Sequence, residues 1–383
     1  MAVKKWATTN GTVWSFNGSI VTSLVDSENP QGIPPSTIRL KFSDPNYNPS
    51  THTFYVGSNP APISWTQVSS EPNVWDGYYP PYAAGAYTAW QSMFQNAFND
   101  HTNLVEIVGA NFEGVYNLEQ LFEDCSSLVA VANLDFGISA IRCSRMFEGC
   151  TNLRTVGDIV IHGDDIYSGS SHIGTPDVRS MFEHCSSLTT VGNITLDHVT
   201  SLDEMFSACS SLTSIGTIYA PEAGYLRYTF HNCSSLANWP SITISPNASN
   251  FNMAFASCSS LTTCPISASL LGNAIDCASM FYNCSSLATF PVFDMSHVTS
   301  MNSMFSSCPS LTGSIPAYDM RNVDNCTSAF YECKNISGGI LDTYNRFMSY
   351  AIQPSSHASC FKNCGINTQT GSAELAQIPS DWK

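Results

Sequence analysis

Fifteen cysteines are the residues of this chain with the most reactive potential. A cysteine can pair into a disulfide, hold zinc as a thiolate, or fill a core as a small hydrophobe. Ten of them are Cys125, Cys150, Cys185, Cys209, Cys233, Cys258, Cys284, Cys308, Cys333 and Cys364. They follow one another at intervals of 25, 35, 24, 24, 25, 26, 24, 25 and 31 residues. Cys143, Cys277 and Cys326 each lie seven residues before one of the ten, in a slot held elsewhere by Leu118, Leu202, Leu226 or Met301. Cys360 takes the slot of Met146, Met205 and Met304, and Cys264 that of Val131, Val156, Val191 and Ile215. Every cysteine therefore stands where other repeats are apolar, which predicts buried thiols in a core ladder. Zinc sites favour Cys-x-x-Cys pairs, and none occurs. A full disulfide framework sits badly with an odd count.

Other reactive types are scattered. His184, His198, His231 and His297 recur at solvent-side repeat positions, beside no nucleophile or carboxylate pair. Asp197, Asp294 and Asp319 stand shortly before apolar stripes, where a helix-start or turn role is expected. The unit ending at Cys185 is longer than its neighbours by an insertion within 161–177, which contains His162, Asp164, Asp165, Tyr167 and His172. Its histidines and aspartates are of types that bind a divalent cation. The expected reading is a polar surface loop, with Tyr167 as a contact residue and no metal. No Gly-x-Ser-x-Gly, P-loop or His-Glu-x-x-His motif occurs. The chain is read as non-enzymatic and without a cofactor.

The elements behind this spacing are repeats. A period near 24 residues held this long implies a stacked array in which no unit closes a core alone. The paired anchors are Phe122 and Cys125, Phe147 and Cys150, Phe182 and Cys185, Phe206 and Cys209, Phe230 and Cys233. They continue with Phe255 and Cys258, Phe281 and Cys284, Phe305 and Cys308, Phe330 and Cys333, Phe361 and Cys364. An earlier unit has Phe98, with His101 in the cysteine slot. Val199, Leu202, Met205, Phe206 and Cys209 lie at offsets 0, 3, 6, 7 and 10, a stripe at helical period. Ser201 with Glu204 suggests a capping box, Ser-Ser after the cysteine a turn, and Leu212–Ile215 a strand. The expected fold is α/β, a leucine-rich-repeat-like solenoid with one short helix and one short parallel strand per repeat, preceded by a small β module.

Residues 1–35 read as an arm whose Trp6, Trp14 and Phe16 suggest docking. Residues 36–90 read as the β module and linker, with strands at Thr37–Phe42, Thr53–Val56 and Trp65–Val68, extended at Val74 and Trp75. The module is expected to cap the first edge of the solenoid. Tyr78, Tyr79, Tyr82, Tyr87 and Trp90 form an aromatic cluster that either contacts carbohydrate or protein or packs the linker onto the first repeat. The solenoid of about eleven repeats is placed at 91–366 and a C-terminal cap at 367–383.

The formal net charge is −16 and only 11% of residues are charged, which disfavours nucleic acid and anionic membranes as partners. No apolar run reaches the roughly 18 residues of a spanning helix. The N-terminal stretch lacks the apolar core of a signal peptide.

The phrases at 205–216 (MFSACSSLTSIG), 293–316 and 318–336 resemble the BspA-like leucine-rich-repeat surface proteins. His198-Val199-Thr200-Ser201-Leu202 and His297-Val298-Thr299-Ser300-Met301 match that family's unit with His in the Asn place. Over about 90–366 the resemblance implies a solenoid with a broad face for adhesion or recognition and no catalytic residues. The β module, the phrase Pro72–Asp76 and the phrase Val105–Val115 also resemble repeat proteins of gut Bacteroidales and their phages, including crAss-like ones. That resemblance, with no visible export leader, leads to an expected virion fibre, tail or head-surface protein. Residues 1–90 would then hold other virion proteins, the repeats would face a host glycan or protein, and self-association is allowed. The alternatives are a bacterial or protist surface adhesin and a cytosolic scaffold.

Overall fold

The computed structural model describes residues 37–51, 55–56, 59–60, 63–78, 88–89, 104–112, 115–136, 142–162, 167–168, 171–172, 175–237 and 239–383. It also gives the antiparallel strands Lys5–Ala7 and Val13–Ser15. The rest of the predicted arm, the Phe98 and His101 unit, and Tyr79, Tyr82, Tyr87 and Trp90 lie outside the described residues. The chain divides into two compact units, Met1–Thr200 with Ile215–Ala220, and Ser201–Ser214 with Pro221–Lys383. Both are parallel β-solenoid, with about nine turns among the described residues.

In the first unit, strand Thr37–Phe42 lies between Val74–Tyr78 and Leu104–Asn111, antiparallel to both. Ser64–Gln67 pairs outside Val74–Tyr78. The far edge of Leu104–Asn111 pairs in parallel with Ala130–Val131, and the ladder continues through Thr155–Val156 to Thr190–Val191. One strand thus joins an antiparallel module to a parallel stack. Ile38, Leu40 and Phe42 are buried, as expected for one face of an alternating strand. Arg39, on the other face, is buried too, and its guanidinium is forked onto Asp76 at 2.7 and 2.9 Å. That pair satisfies a charge that would otherwise be stranded in the sheet.

A second strand per turn, which the sequence reading did not include, forms a parallel sheet of Leu134–Asp135, Ile159–Ile161, Ile194–Leu196 and Ile218–Tyr219. Between the two strands runs a side-chain ladder. Asn133 Oδ1 accepts from Asp158 N–H at 2.8 Å, Asp158 Oδ1 from Asn193 N–H at 2.7 Å, and Asn193 Oδ1 from Thr217 N–H at 3.0 Å. Gly157 and Gly192, which precede the acceptors Asp158 and Asn193, are close approaches. A Cβ on Gly157 would lie 2.6 Å from the Asn133 nitrogen.

The predicted helix is absent from every described repeat. Its place is taken by a staircase of turns. Gln120, Phe122 and Asp124 donate their N–H groups to Ser144, Met146 and Glu148 carbonyls of the next turn at 3.0, 2.9 and 2.7 Å. Leu121, Glu123 and Cys125 donate back three residues to Leu118, Gln120 and Phe122 at 3.1, 3.2 and 3.1 Å. A helix would send every N–H to the fourth residue back. Each staircase holds two left-handed residues four apart, such as Met253 and Ser257 at φ 54° and 60°. Left-handed backbone costs a non-glycine residue roughly 1–2 kcal/mol, and the hydrogen-bond ladder between turns offsets it. The second of the two positions is often Asn, Ser, His or Gly (Gly149, His184, Asn232, Ser257, Asn283), types that tolerate this region.

The predicted capping box is likewise a turn. Ser201 Oγ accepts from Asp203 N–H at 3.2 Å; Asn250 and Asp276 do the same two residues on, at 3.0 and 2.9 Å. The serines after the cysteine turn the chain, as expected, with Leu261 N–H donating back to Cys258 O at 3.0 Å, and they also extend the ladder: Ser259 and Ser260 hydroxyls both donate to Ser234 O, at 3.2 and 2.7 Å.

The second unit ends in true helices. Helix Ile340–Ser349 has the free N–H groups of Ile340 and Leu341 received by Glu374 Oε2 at 2.8 and 3.3 Å. Helix Gln369–Ala376 is N-capped by Thr368, whose hydroxyl accepts from Gly371 N–H at 3.1 Å. Trp382 then lies over Phe361, with ring centroids 6.1 Å apart, and closes the last edge. Among the described residues no helix is long and apolar enough to cross a membrane.

Candidate recognition surface

The anchors of each repeat point inward. In the first unit Phe122, Phe147 and Phe182 stack with centroids 5.7 and 5.4 Å apart and planes 3° from parallel. In the second, Phe206, Phe230, Phe255, Phe281, Phe305, Phe330 and Phe361 stack at 5.6–5.8 Å. Offset parallel stacking is favourable beyond the area it buries. The cysteine three residues on is placed by that ring. Its thiol donates to the phenylalanine carbonyl of the turn before: Cys150 to Phe122 at 3.1 Å, Cys185 to Phe147 at 3.1 Å, Cys284 to Phe255 at 3.0 Å, Cys308 to Phe281 at 3.0 Å. The same carbonyl already accepts from the N–H of its own turn's cysteine, as Phe281 does from Cys284 at 3.2 Å. The thiol thus fills the second lone pair of a buried acceptor, which alanine or valine could not do.

All fifteen cysteines are free thiols, and fourteen are buried. Burial pushes the Cys150 and Cys284 thiols well up, with neighbouring acids or thiols adding to it. They stay protonated, as donors must, and are poor nucleophiles. Cys264 is half-buried, and burial pushes it up to about 11.

Of the insertion residues, His162 is half-buried, with Nδ1 3.0 Å from Asp197 Oδ2. Asp164 and Asp165 lie outside the described residues. Tyr167–Ser168 and Ser171–His172 pair as an antiparallel hairpin, with the side chains of Tyr167 and His172 undescribed. The structure thus brings His162 together with Asp197, a residue outside the predicted set. Among the described residues no group of three or more His, Cys, Asp or Glu could hold a metal ion. Tyr78 is exposed at the end of strand Val74–Tyr78.

The outward columns of the staircase form the surface that remains. In the first unit the residue after each stacked phenylalanine is an acid: Glu123, Glu148 and Glu183. Glu148 Oε2 is buried without a hydrogen-bond partner among the described residues, and Arg145 Nε stands 3.5 Å from it. Burial holds its carboxyl above the usual value, Arg145 opposes that, and Glu183 and Glu123 add to it.

In the second unit the same column reads Ser207, His231, Ala256, Tyr282, Ser306, Tyr331 and Lys362. Tyr282 is exposed; His231 and Tyr331 are half-buried. Lys362 Nζ lies 5.7 Å from the Tyr331 ring centroid. The sequence reading missed Tyr282 and Tyr331 because it followed the invariant anchors. Reading the position after each repeat phenylalanine as a column would have found them. Alongside runs the left-handed column Ala208, Asn232, Ser257, Asn283, Ser307, Glu332 and Asn363.

Residues 176–289 and 249–355 match the family described as "Mycoplasma protein of unknown function, DUF285". The two overlapping matches cover repeats on both sides of Cys258 and are compatible with the BspA-like resemblance. No curated protein and no solved structure matches the chain.

Proposed function

We propose that this chain is a non-enzymatic recognition protein displayed on an exterior surface. In the finer reading it belongs to a bacteriophage particle, held by residues 1–90 and presenting its repeats to a host-cell glycan or protein. One observation carries the proposal: each turn separates its chemistry by direction. The thiols point inward, with fourteen of the fifteen buried. In the second unit the outward columns hold mainly hydroxyl, amide and tyrosine side chains, which suit reversible contact over a broad area. Solenoids use such extended faces for binding. The phage reading draws on the phrases at Pro72–Asp76 and Val105–Val115.

The repeat match to a family described from Mycoplasma favours, as a second reading, a bacterial surface adhesin. Mass spectrometry of density-purified particles, cell envelope and soluble fraction from the source culture separates them. Stoichiometric presence in particles supports the phage reading. Recovery from the envelope supports the adhesin and removes the phage reading. Confinement to the soluble fraction overturns exterior display altogether.

A further inference from the structure

We infer that the outward face of the second unit binds an extended, uncharged glycan strand, with His231, Tyr282 and Tyr331 as the platforms on which its sugars rest. This deepens the recognition reading and rests on it.

The three rings occupy one column, and the hydrogen bonds fix their register. Asn232 N–H donates to Ala256 O at 2.8 Å, Ser257 N–H to Tyr282 O at 2.7 Å, Asn283 N–H to Ser306 O at 2.8 Å, and Ser307 N–H to Tyr331 O at 2.7 Å. Ala256 and Ser306, both buried, therefore separate the rings one turn at a time. With turns about 4.8 Å apart, a ring recurs every ~10 Å. A polysaccharide repeats along its own axis and offers successive sugars to successive rings, each weak contact adding to the others.

Charge narrows the class. The chain carries a formal −16, yet the outward positions of 250–258, 276–284 and 300–308 hold one acidic or basic side chain, Asp276. Its carboxylate already accepts from Ala278 N–H at 2.9 Å. What remains is Asn250, Asn252, Ser257, Asn283, Asn302 and Ser307, amides and hydroxyls beside rings. A sulfated or uronate polymer would find no cations on these turns, and a basic one no carboxylate row. A neutral sugar matches both features: its C–H face lies on a ring, and its hydroxyls exchange hydrogen bonds with the amide column. Charge returns on the turns that carry the outer two rings, where Arg227 pairs with Asp203 at 2.8 Å, Lys334 pairs with Glu332 at 2.7 Å and Lys362 Nζ lies 5.7 Å from the Tyr331 ring centroid.

The test is native affinity electrophoresis of the full chain through gels containing hydroxyethylcellulose, glucomannan, galactan or dextran, with dextran sulfate as the charged control. The comparison variant is Tyr282→Ser with Tyr331→Ser, which installs the residue the column already uses at 207 and 306. Thermal unfolding verifies that it folds. Retardation by at least one neutral polymer, weakened about tenfold or more in the double variant, is the expected result. Mobility unchanged by all four neutral polymers, or retardation equal in the variant, overturns the glycan assignment. Stronger retardation in dextran sulfate than in any neutral gel overturns it as well. Recognition itself is read separately, by binding of the double variant to intact host cells. Retained binding there with lost glycan retardation leaves the broader function in place and moves it to another face.

Discussion

At the scale of single residues, burial decides the state of the groups that hold each turn to the next. Each anchor cysteine is a hydrogen-bond donor before it is anything else, because the phenylalanine carbonyl of the preceding turn has a lone pair that no backbone N–H reaches. Cys284→Ala removes the bond to Phe255 and leaves a small void. It should destabilise the second unit by about 1–3 kcal/mol in a denaturant titration; Cys284→Ser, which keeps a donor, should lose less. Glu148 behaves in the opposite sense. Its folded carboxyl titrates above the ordinary 4.5, so between those two values the folded state holds the proton more tightly than the unfolded one. Stability of the first unit should therefore fall as pH rises through that window and stay level above it. Glu148→Gln should raise the melting temperature at pH 7 and flatten its dependence on pH just above 4.5. A melt in which wild type and variant run parallel across that range contradicts the assignment.

At the scale of the element, the repeat was legible and its local conformation was not. The anchors recur with a period, and any stack of such units buries them, so the solenoid follows from the phenylalanine and cysteine spacing alone. The stripe at offsets 0, 3, 6, 7 and 10 fits a helix and a staircase of three-residue turns equally well. Apolar period reports which side chains are buried, not where the N–H groups go. The signal that breaks the tie lies in the polar positions, where Asn, Ser and His sit four residues apart at left-handed points and Ser, Asn or Asp opens each turn. The second strand was not expected, although Gly157-Asp158-Ile159 and Gly192-Asn193-Ile194, each a tight turn followed by β-branched residues, carry its signal. Gly157→Ala tests that reading. Its Cβ would press on the Asn133 backbone and side chain, so a loss of about 1–3 kcal/mol is expected, where an ordinary glycine-to-alanine change in a compatible turn would stabilise. The outward tyrosines were the least legible part of the surface, since Tyr282 and Tyr331 belong to no repeated phrase.

At the scale of the molecule, each unit must end its ladder without leaving a sticky edge. The first does so with the antiparallel module, whose strand Thr37–Phe42 covers the free side of Leu104–Asn111. The second continues its phenylalanine stack one ring further with Trp382, which is itself held against His357 at 4.3 Å and Phe347 at 5.5 Å. Trp382→Ala should cost about 3–5 kcal/mol, and hydrogen exchange should show the loss first in 356–364 rather than across the unit.

Exterior display is the central claim, and its most direct measurement is labelling of intact source particles or cells with a membrane-impermeant amine reagent, followed by peptide mass spectrometry. Lys362, exposed on the outward column beside Tyr331, should carry the label before any lysis. Lys362 labelled only after the particles or cells are broken open would contradict the account.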